Sequence, residues 1–255
     1  MTTIEVDSVV LEYRLLPARR SGLPTLVLLH EGLGSVAMWR DFPAAVASAT
    51  GCRTLLWSRQ GYGWSSPLSV PRTARYLHDE ALRHLPRLLV ALDIRRPLLV
   101  GHSDGGSIAL IHAAAFPEDI AAAVVLAPHE FVEDKALVGI RRAGEHFASS
   151  DWALRLARYH RDPSAVFYAW HDTWLSAEFR SWQILDCLPA IHCPILAIQG
   201  EDDEYGTMRQ IDCIAEASPD VELLKLPDCR HSPQRDQPAA VCAAIARFVE
   251  RRLRC

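Results

Sequence analysis

The stretch Pro97-Leu-Leu-Val-Gly-His-Ser-Asp-Gly-Gly106 constrains this chain more than any other. It runs a short apolar strand into an alanine-rich helix through G-x-S-x-G, with Ser103 at the apex, Gly101 two residues before it and Gly105 two after. In such a turn the serine backbone is strained, and a side chain at either glycine would collide with the adjoining strand or helix. The hydroxyl is thereby lifted above the sheet, at the positive end of the helix. A bare G-x-S-x-G can also be an ordinary structural turn. Here Leu98-Leu-Val100 reads as a buried strand, and no proline interrupts the run after Gly106 until Pro117. Strand, turn and helix in that order are the context that a nucleophilic serine requires.

A sheet to carry this turn can be read along the chain. Residues 4 to 16 alternate loosely, as antiparallel edge strands with one wet face do. From Pro24 the pattern changes to continuous apolar runs, Thr25-Leu-Val-Leu-Leu29 and Arg53-Thr-Leu-Leu-Trp57, the mark of strands covered on both faces. Ala121-Ala-Ala-Val-Val-Leu126, Pro194-Ile-Leu-Ala-Ile198 and Val221-Glu-Leu-Leu-Lys-Leu226 read the same way. Helical segments at about 40 to 49, 73 to 92, 206 to 217 and 238 to 253 separate them. Strands alternating with helices predict an α/β fold: a mostly parallel eight-stranded sheet with helices on both faces, its functional residues at the carboxyl ends of the strands.

Between Pro128 and Pro189 the alternation stops, and the segment reads as helices rich in aromatic residues. The expected organisation is a core of residues 1–128 and 190–255 with a helical lid of residues 129–189 inserted on the site side. Trp170, Trp174 and Trp182 are the candidates for lining an apolar or aromatic pocket.

A net charge of −4 with no long basic run argues against nucleic acid and against a polybasic membrane anchor, leaving a small molecule as the expected partner. The N-terminus lacks a basic start and an apolar run, so the default expectation is a cytoplasmic protein. The seven cysteines are scattered without a C-x-x-C pair and fit neither a disulfide framework nor a zinc site. Most are expected to be buried and Cys255 to be exposed and oxidisable. No metal and no cofactor are expected. Oligomeric state is not legible.

A serine hydroxyl needs a base within hydrogen-bond reach and a third group to orient that base. Downstream, Gln199-Gly-Glu-Asp-Asp203 brings carboxylates just past a strand end, and Pro227-Asp-Cys-Arg-His231 brings a histidine into the loop after the next strand. The order Ser, Asp, His is the one used with a nucleophile elbow.

On these residues the chain resembles the α/β-hydrolase fold family over nearly its full length. The resemblance implies Ser103 as nucleophile, His231 as base and Asp203 as the bracing acid, with Asp202 the main rival and Glu130, one strand earlier, the third candidate. It also implies an oxyanion hole built from two backbone N–H groups. One is that of Asp104 and the other comes from His30-Glu-Gly-Leu-Gly34. The family commonly has His-Gly followed by the donor, whereas Glu31 intervenes here, so the choice falls on Leu33 with Gly32 the alternative. The Asp104 side chain is read as a helix cap, or else as a charge that tunes His231 or repels anions. His102 is expected to lie on the far side of the turn, and His160 and His171 to be structural.

The resemblance implies a serine hydrolase, carboxylesterase-like, cleaving an ester or thioester through an acyl-enzyme. Hydrolysis of a carbon–carbon bond in products of aromatic ring cleavage is the alternative on the same triad. A low-turnover ligand receptor is the alternative of another class. A serine at the elbow counts against epoxide hydrolases and haloalkane dehalogenases, which need a carboxylate there.

Overall fold

The structure, a computed structural model, describes residues 2–253; Cys255 lies outside the described residues. Strands β1 (Thr2–Val6) and β2 (Val9–Leu16) form an antiparallel hairpin that pairs along the edge of β4 (Thr54–Trp57). From there the sheet is parallel, through β3 (Leu26–Leu29), β5 (Leu98–His102), β6 (Ala122–Leu126), β7 (Ile195–Gly200) and β8 (Val221–Leu226). The eight strands stand in the order β1-β2-β4-β3-β5-β6-β7-β8.

The apolar runs of β3 to β7 are continuous because each of these strands buries both of its faces; β8, read from the sequence as another such strand, is instead the sheet's edge, only partly buried and with Leu223 exposed. Leu26, Leu28, Leu98, Val100 and Val124 pack on one side with α1 (Phe42–Thr50) and α10 (Pro238–Arg252). Val27, Leu29, Leu99, Ala123 and Val125 face the other side. There they meet the segment from α2 (Tyr76–Asp79) to α3 (Leu85–Ala91), and α4 (Asp104–Ala115). The amphipathic segment expected at 73 to 92 forms one continuous helical stretch from 76 to 91, widened by a π-helical turn over Glu80–His84. Pro86 follows at once, and it has no N–H to give to the carbonyl four residues back.

The chain between β6 and β7 forms α5 (Asp134–Ser149), α6 (Trp152–Leu156), α7 (Pro163–Leu175) and two 3-10 turns. The Asp162 side chain caps α7 by accepting the Ala165 N–H at 2.9 Å, and Pro163 supplies the pre-set first turn. Aromatic stacking ties the segment together: Phe147 lies on Phe167 at 3.9 Å between centroids, and Phe179 on Trp182 at 5.2 Å. These rings belong to the same hydrophobic cluster as one face of the sheet, so the segment is packed onto the core. Helices α8 (Arg209–Ala217) and α9 (Pro233–Asp236) flank β8. Among the described residues no helix is long and apolar enough to cross a membrane, and no group of His, Cys, Asp and Glu is placed to hold a metal ion. Cys52, Cys193, Cys213, Cys229 and Cys242 are buried thiols and Cys187 is half-buried.

Candidate active site

Ser103 joins β5 to α4 with φ 52° and ψ −117°, a left-handed conformation that a non-glycine residue adopts only when its surroundings enforce it. Two close approaches do so. A Cβ on Gly101 would come within 2.0 Å of the Gly105 carbonyl oxygen, and one on Gly105 within 1.9 Å of the Leu29 carbonyl oxygen. The helix therefore starts directly against β3 and β5, and Ser103 is the residue that makes the corner. Its N–H donates to the Leu126 carbonyl at 2.9 Å, while its own carbonyl accepts from Gly106 and Ser107.

His231, in the loop after β8, places Nε2 3.0 Å from Ser103 Oγ and Nδ1 2.9 and 3.0 Å from the two oxygens of Asp203, in the loop after β7. A carboxylate can only accept, so Nδ1 carries the proton and the Nε2 lone pair faces the serine hydroxyl. Asp203 is almost fully buried and accepts further from the N–H groups of Tyr205 at 2.8 Å and Gly206 at 3.2 Å, and from Gln199 Nε2 at 3.1 Å. Burial alone would raise its pKa. The charge and hydrogen bond of His231, with the Tyr205 N–H, outweigh it and hold the carboxyl at about 2. Burial likewise opposes charging His231, yet Asp203 lifts its pKa above the ordinary imidazole value.

The other two candidate acids stand elsewhere. Asp202 is exposed, and its N–H donates to the Cys229 carbonyl. Glu130 is fully buried and neither of its carboxyl oxygens has a hydrogen-bond partner among the described residues. Desolvation pushes its pKa well above the usual carboxylate range. A carboxyl favoured in its protonated form lacks the charge that would brace an imidazole. It does make a stability prediction. Its pKa is raised in the folded state, so its contribution is most favourable below the unfolded value of about 4.3 and declines as pH climbs toward the folded one. Glu130→Met, similar in volume and without orphaned oxygens, is expected to stabilise the protein by about 1–3 kcal/mol at neutral pH. Thermal melts from pH 5 to 9 check this, and a variant that melts lower throughout, or a gain that does not grow with pH, contradicts it.

The loop after β3 lies beside the serine. Its backbone is braced from behind by a buried arginine, Arg59, which donates Nη2–H to the carbonyls of Glu31 at 2.9 Å and His30 at 3.3 Å. The Arg59 N–H also donates to His30 Nε2 at 3.1 Å, which leaves His30 Nδ1 to donate to the Glu31 carbonyl at 2.8 Å. From the inserted segment, His160 accepts the Gly63 N–H on Nδ1 and donates Nε2–H to the Leu33 carbonyl, both at 2.9 Å. The N–H groups of Gly32, Leu33 and Asp104 make no hydrogen bond among the described residues, so Asp104 and both candidates from the loop after β3 have a donor to spare.

The Asp104 carboxylate follows neither expectation. It neither caps its own helix nor faces His231; Oδ2 accepts from Tyr76 Oη at 2.9 Å and lies 3.4 Å from Arg59 Nη2, in an ion pair closed to solvent. Tyr76 Oη in turn accepts the Trp174 indole N–H at 2.8 Å. The side chain beside Ser103 thus neutralises the arginine that shapes the neighbouring loop, and it anchors a wall of the cavity. His102 lies next to the loop that carries His231, with Nε2 2.8 Å from the His231 carbonyl and Nδ1 3.0 Å from the Gln234 side chain.

A cavity of about 220 Å³ opens at Ser103 and His231. Trp170 and Trp174, one turn apart on α7, line it together with Trp152. Trp182 does not. It follows the 3-10 turn after α7, stacks on Phe179 and lies edge-on to His78. His171 packs on Phe167 and pairs with Asp172, away from the cavity. Glu31 lines the wall, with Oε2 3.8 Å from His102 Nδ1. Burial would raise its pKa, but the His102 and His30 imidazoles outweigh that and hold it at about 2. The exposed Arg235 also borders the cavity. Sequence reasoning missed His129, Trp152 and Tyr205 as lining residues and Arg59 as the loop's brace. Position offered a signal for His129 and Arg59, since both follow the carboxyl end of a strand.

A model of the alpha/beta hydrolase family matches residues 26–244. The chain is 26% identical to 2-succinyl-6-hydroxy-2,4-cyclohexadiene-1-carboxylate synthase of Enterobacter sp. (strain 638), over 93% of this chain and 96% of that protein. It is 27% identical to the serine hydrolase BPHL of Homo sapiens, over 69% of this chain and 62% of that protein. The crystal structure of the enol-lactonase from Burkholderia xenovorans LB400 superposes with a TM-score of 0.77 at 20% identity, covering 98% of this chain and 100% of that one.

Proposed function

Since this chain belongs to the alpha/beta hydrolase family, we propose that it is a serine hydrolase that cleaves the carboxylic ester or thioester of a small apolar or aromatic molecule through an acyl-enzyme. The observation that carries this reading is the unbroken line from Asp203 through His231 to the Ser103 hydroxyl, opening on a cavity walled by tryptophans. Ser103 Oγ attacks the scissile carbonyl carbon as its proton passes to His231 Nε2, and the carbonyl π electrons move onto oxygen. The Asp104 N–H and one from the Gly32-Leu33 turn receive that charge, each donor contributing on the order of 3 kcal/mol. Collapse of the intermediate expels the alcohol or thiol, which takes the proton back from Nε2. Water then repeats both steps and frees the acid. The Asp203 carboxylate offsets the imidazolium charge in each half.

In the same reading, residues 129–189 act as a lid. Their tryptophans supply the apolar walls, and His160 links the lid to the loop of the oxyanion donors. Carbon–carbon hydrolysis draws on the same walls, which suit a planar conjugated substrate.

A fluorophosphonate probe tests the proposal. Covalent labelling at Ser103 is expected, and absence of labelling on folded protein would support a receptor instead. An aryl ester panel run beside a coloured ring-fission dienoate separates ester from carbon–carbon cleavage.

A further inference from the structure

His129 follows β6 and borders the cavity that holds Ser103 and His231. Only 3% of it is exposed. Its ring lies 5.6 Å from that of His231 and edge-on to Trp174 at 5.0 Å. Its backbone is fixed, since the Ser107 hydroxyl donates to its carbonyl at 2.6 Å. The imidazole is not satisfied: Nδ1 is buried without a partner, and no hydrogen bond reaches either ring nitrogen among the described residues. Burial, with His231 next to it, holds the ring at about 3, so at working pH it is neutral, with one N–H donor and one acceptor. An unmatched donor or acceptor in such a place is costly, and the other buried histidines at this site are matched. His30, His102 and His160 each meet partners on both nitrogens.

We infer that His129 selects the substrate by hydrogen bonding to a second oxygen close to the scissile bond, so that the preferred substrates are esters or thioesters of hydroxy- or oxo-acids oxygenated on the α or β carbon. This rests on Ser103 being the nucleophile. The distance to the His231 ring confines the second oxygen to within a few bonds of the carbonyl under attack. A hydroxyl can both give to and take from a neutral imidazole. A carboxylate is a poorer fit, because the Glu31 carboxylate lines the same cavity.

Matched esters test the inference: phenyl lactate against phenyl propionate, and phenyl β-hydroxybutyrate against phenyl butyrate. One neutral hydrogen bond made in the complex corresponds to about a tenfold preference in kcat/KM for at least one hydroxylated ester over its parent. That ratio should fall toward one in His129→Phe and be largely kept in His129→Gln, which retains a donor and an acceptor. No preference in the wild type, or equal losses on both members of a pair with the ratio unchanged, overturns it. Binding decides the matter without turnover. Lactamide and β-hydroxybutyramide are titrated against propionamide and butyramide by quenching of the cavity tryptophans. Tighter binding of a hydroxylated amide supports the inference and equal binding of both pairs overturns it. Fluorophosphonate labelling, run in parallel, reports on the hydrolase reading separately.

Discussion

Replacing Ser103 with alanine is expected to lower ester turnover by roughly a millionfold, the scale of losing a triad nucleophile, and to leave the fold intact. Among the described residues the hydroxyl's hydrogen bond is the 3.0 Å contact with His231, so its removal takes away the attacking atom and little that supports the chain. The strained turn survives, because its geometry is enforced by the backbone contacts of Gly101 and Gly105 and an alanine carries the same Cβ as the serine. Substrate binding persists too, since the cavity walls are unchanged. Steady-state kinetics with a thermal melt read both effects. Turnover within a factor of ten of wild type would mean that some other group does the chemistry.

Asp203→Asn is the second large effect, a loss in kcat of about 10,000-fold. The amide oxygen can still accept from Tyr205 and Gly206, so the loop should hold. Its NH2 group, however, can donate to His231 Nδ1, which shifts the ring proton to Nε2. That proton then points at Ser103, and the lone pair needed to take the hydroxyl proton is gone. Asp202→Asn serves as the control. Its exposed side chain faces no imidazole, and turnover within about twofold of wild type is expected for a surface change. Equal losses in the two variants would show that the loop as a whole, and not one carboxylate, is at stake.

The parts of the site that the sequence discloses are those set by local geometry. The elbow is a contiguous motif whose glycines are dictated by contacts within a few residues and one adjoining strand. The loops bearing Asp203 and His231 follow short apolar runs, the first a fully buried strand and the second a half-exposed edge strand, and the ends of parallel strands converge. Asp104 shows the opposite case. Its neighbours in sequence suggested a cap or a charge near His231, yet its partners Arg59 and Tyr76 are 45 and 28 residues away. Trp182 was grouped with Trp170 and Trp174 by composition, but the pair on α7 share a face one turn apart while Trp182 sits beyond a 3-10 turn.

The amino-acid sequence on its own determined the layered α/β fold, the strained corner at Ser103 and the loops that carry the acid and the imidazole. Each of these follows from periodicity, steric exclusion at glycine, or burial of short apolar runs, which act over a few residues. Only the tertiary structure decided which carboxylate meets His231, that the Glu130 carboxyl is buried without a partner among the described residues, that Arg59 and Asp104 pair behind the loop after β3, and that the His129 ring borders the cavity with no hydrogen bond among the described residues. Those depend on desolvation and on side-chain directions across distant segments, quantities that exist only once the chain has closed on itself.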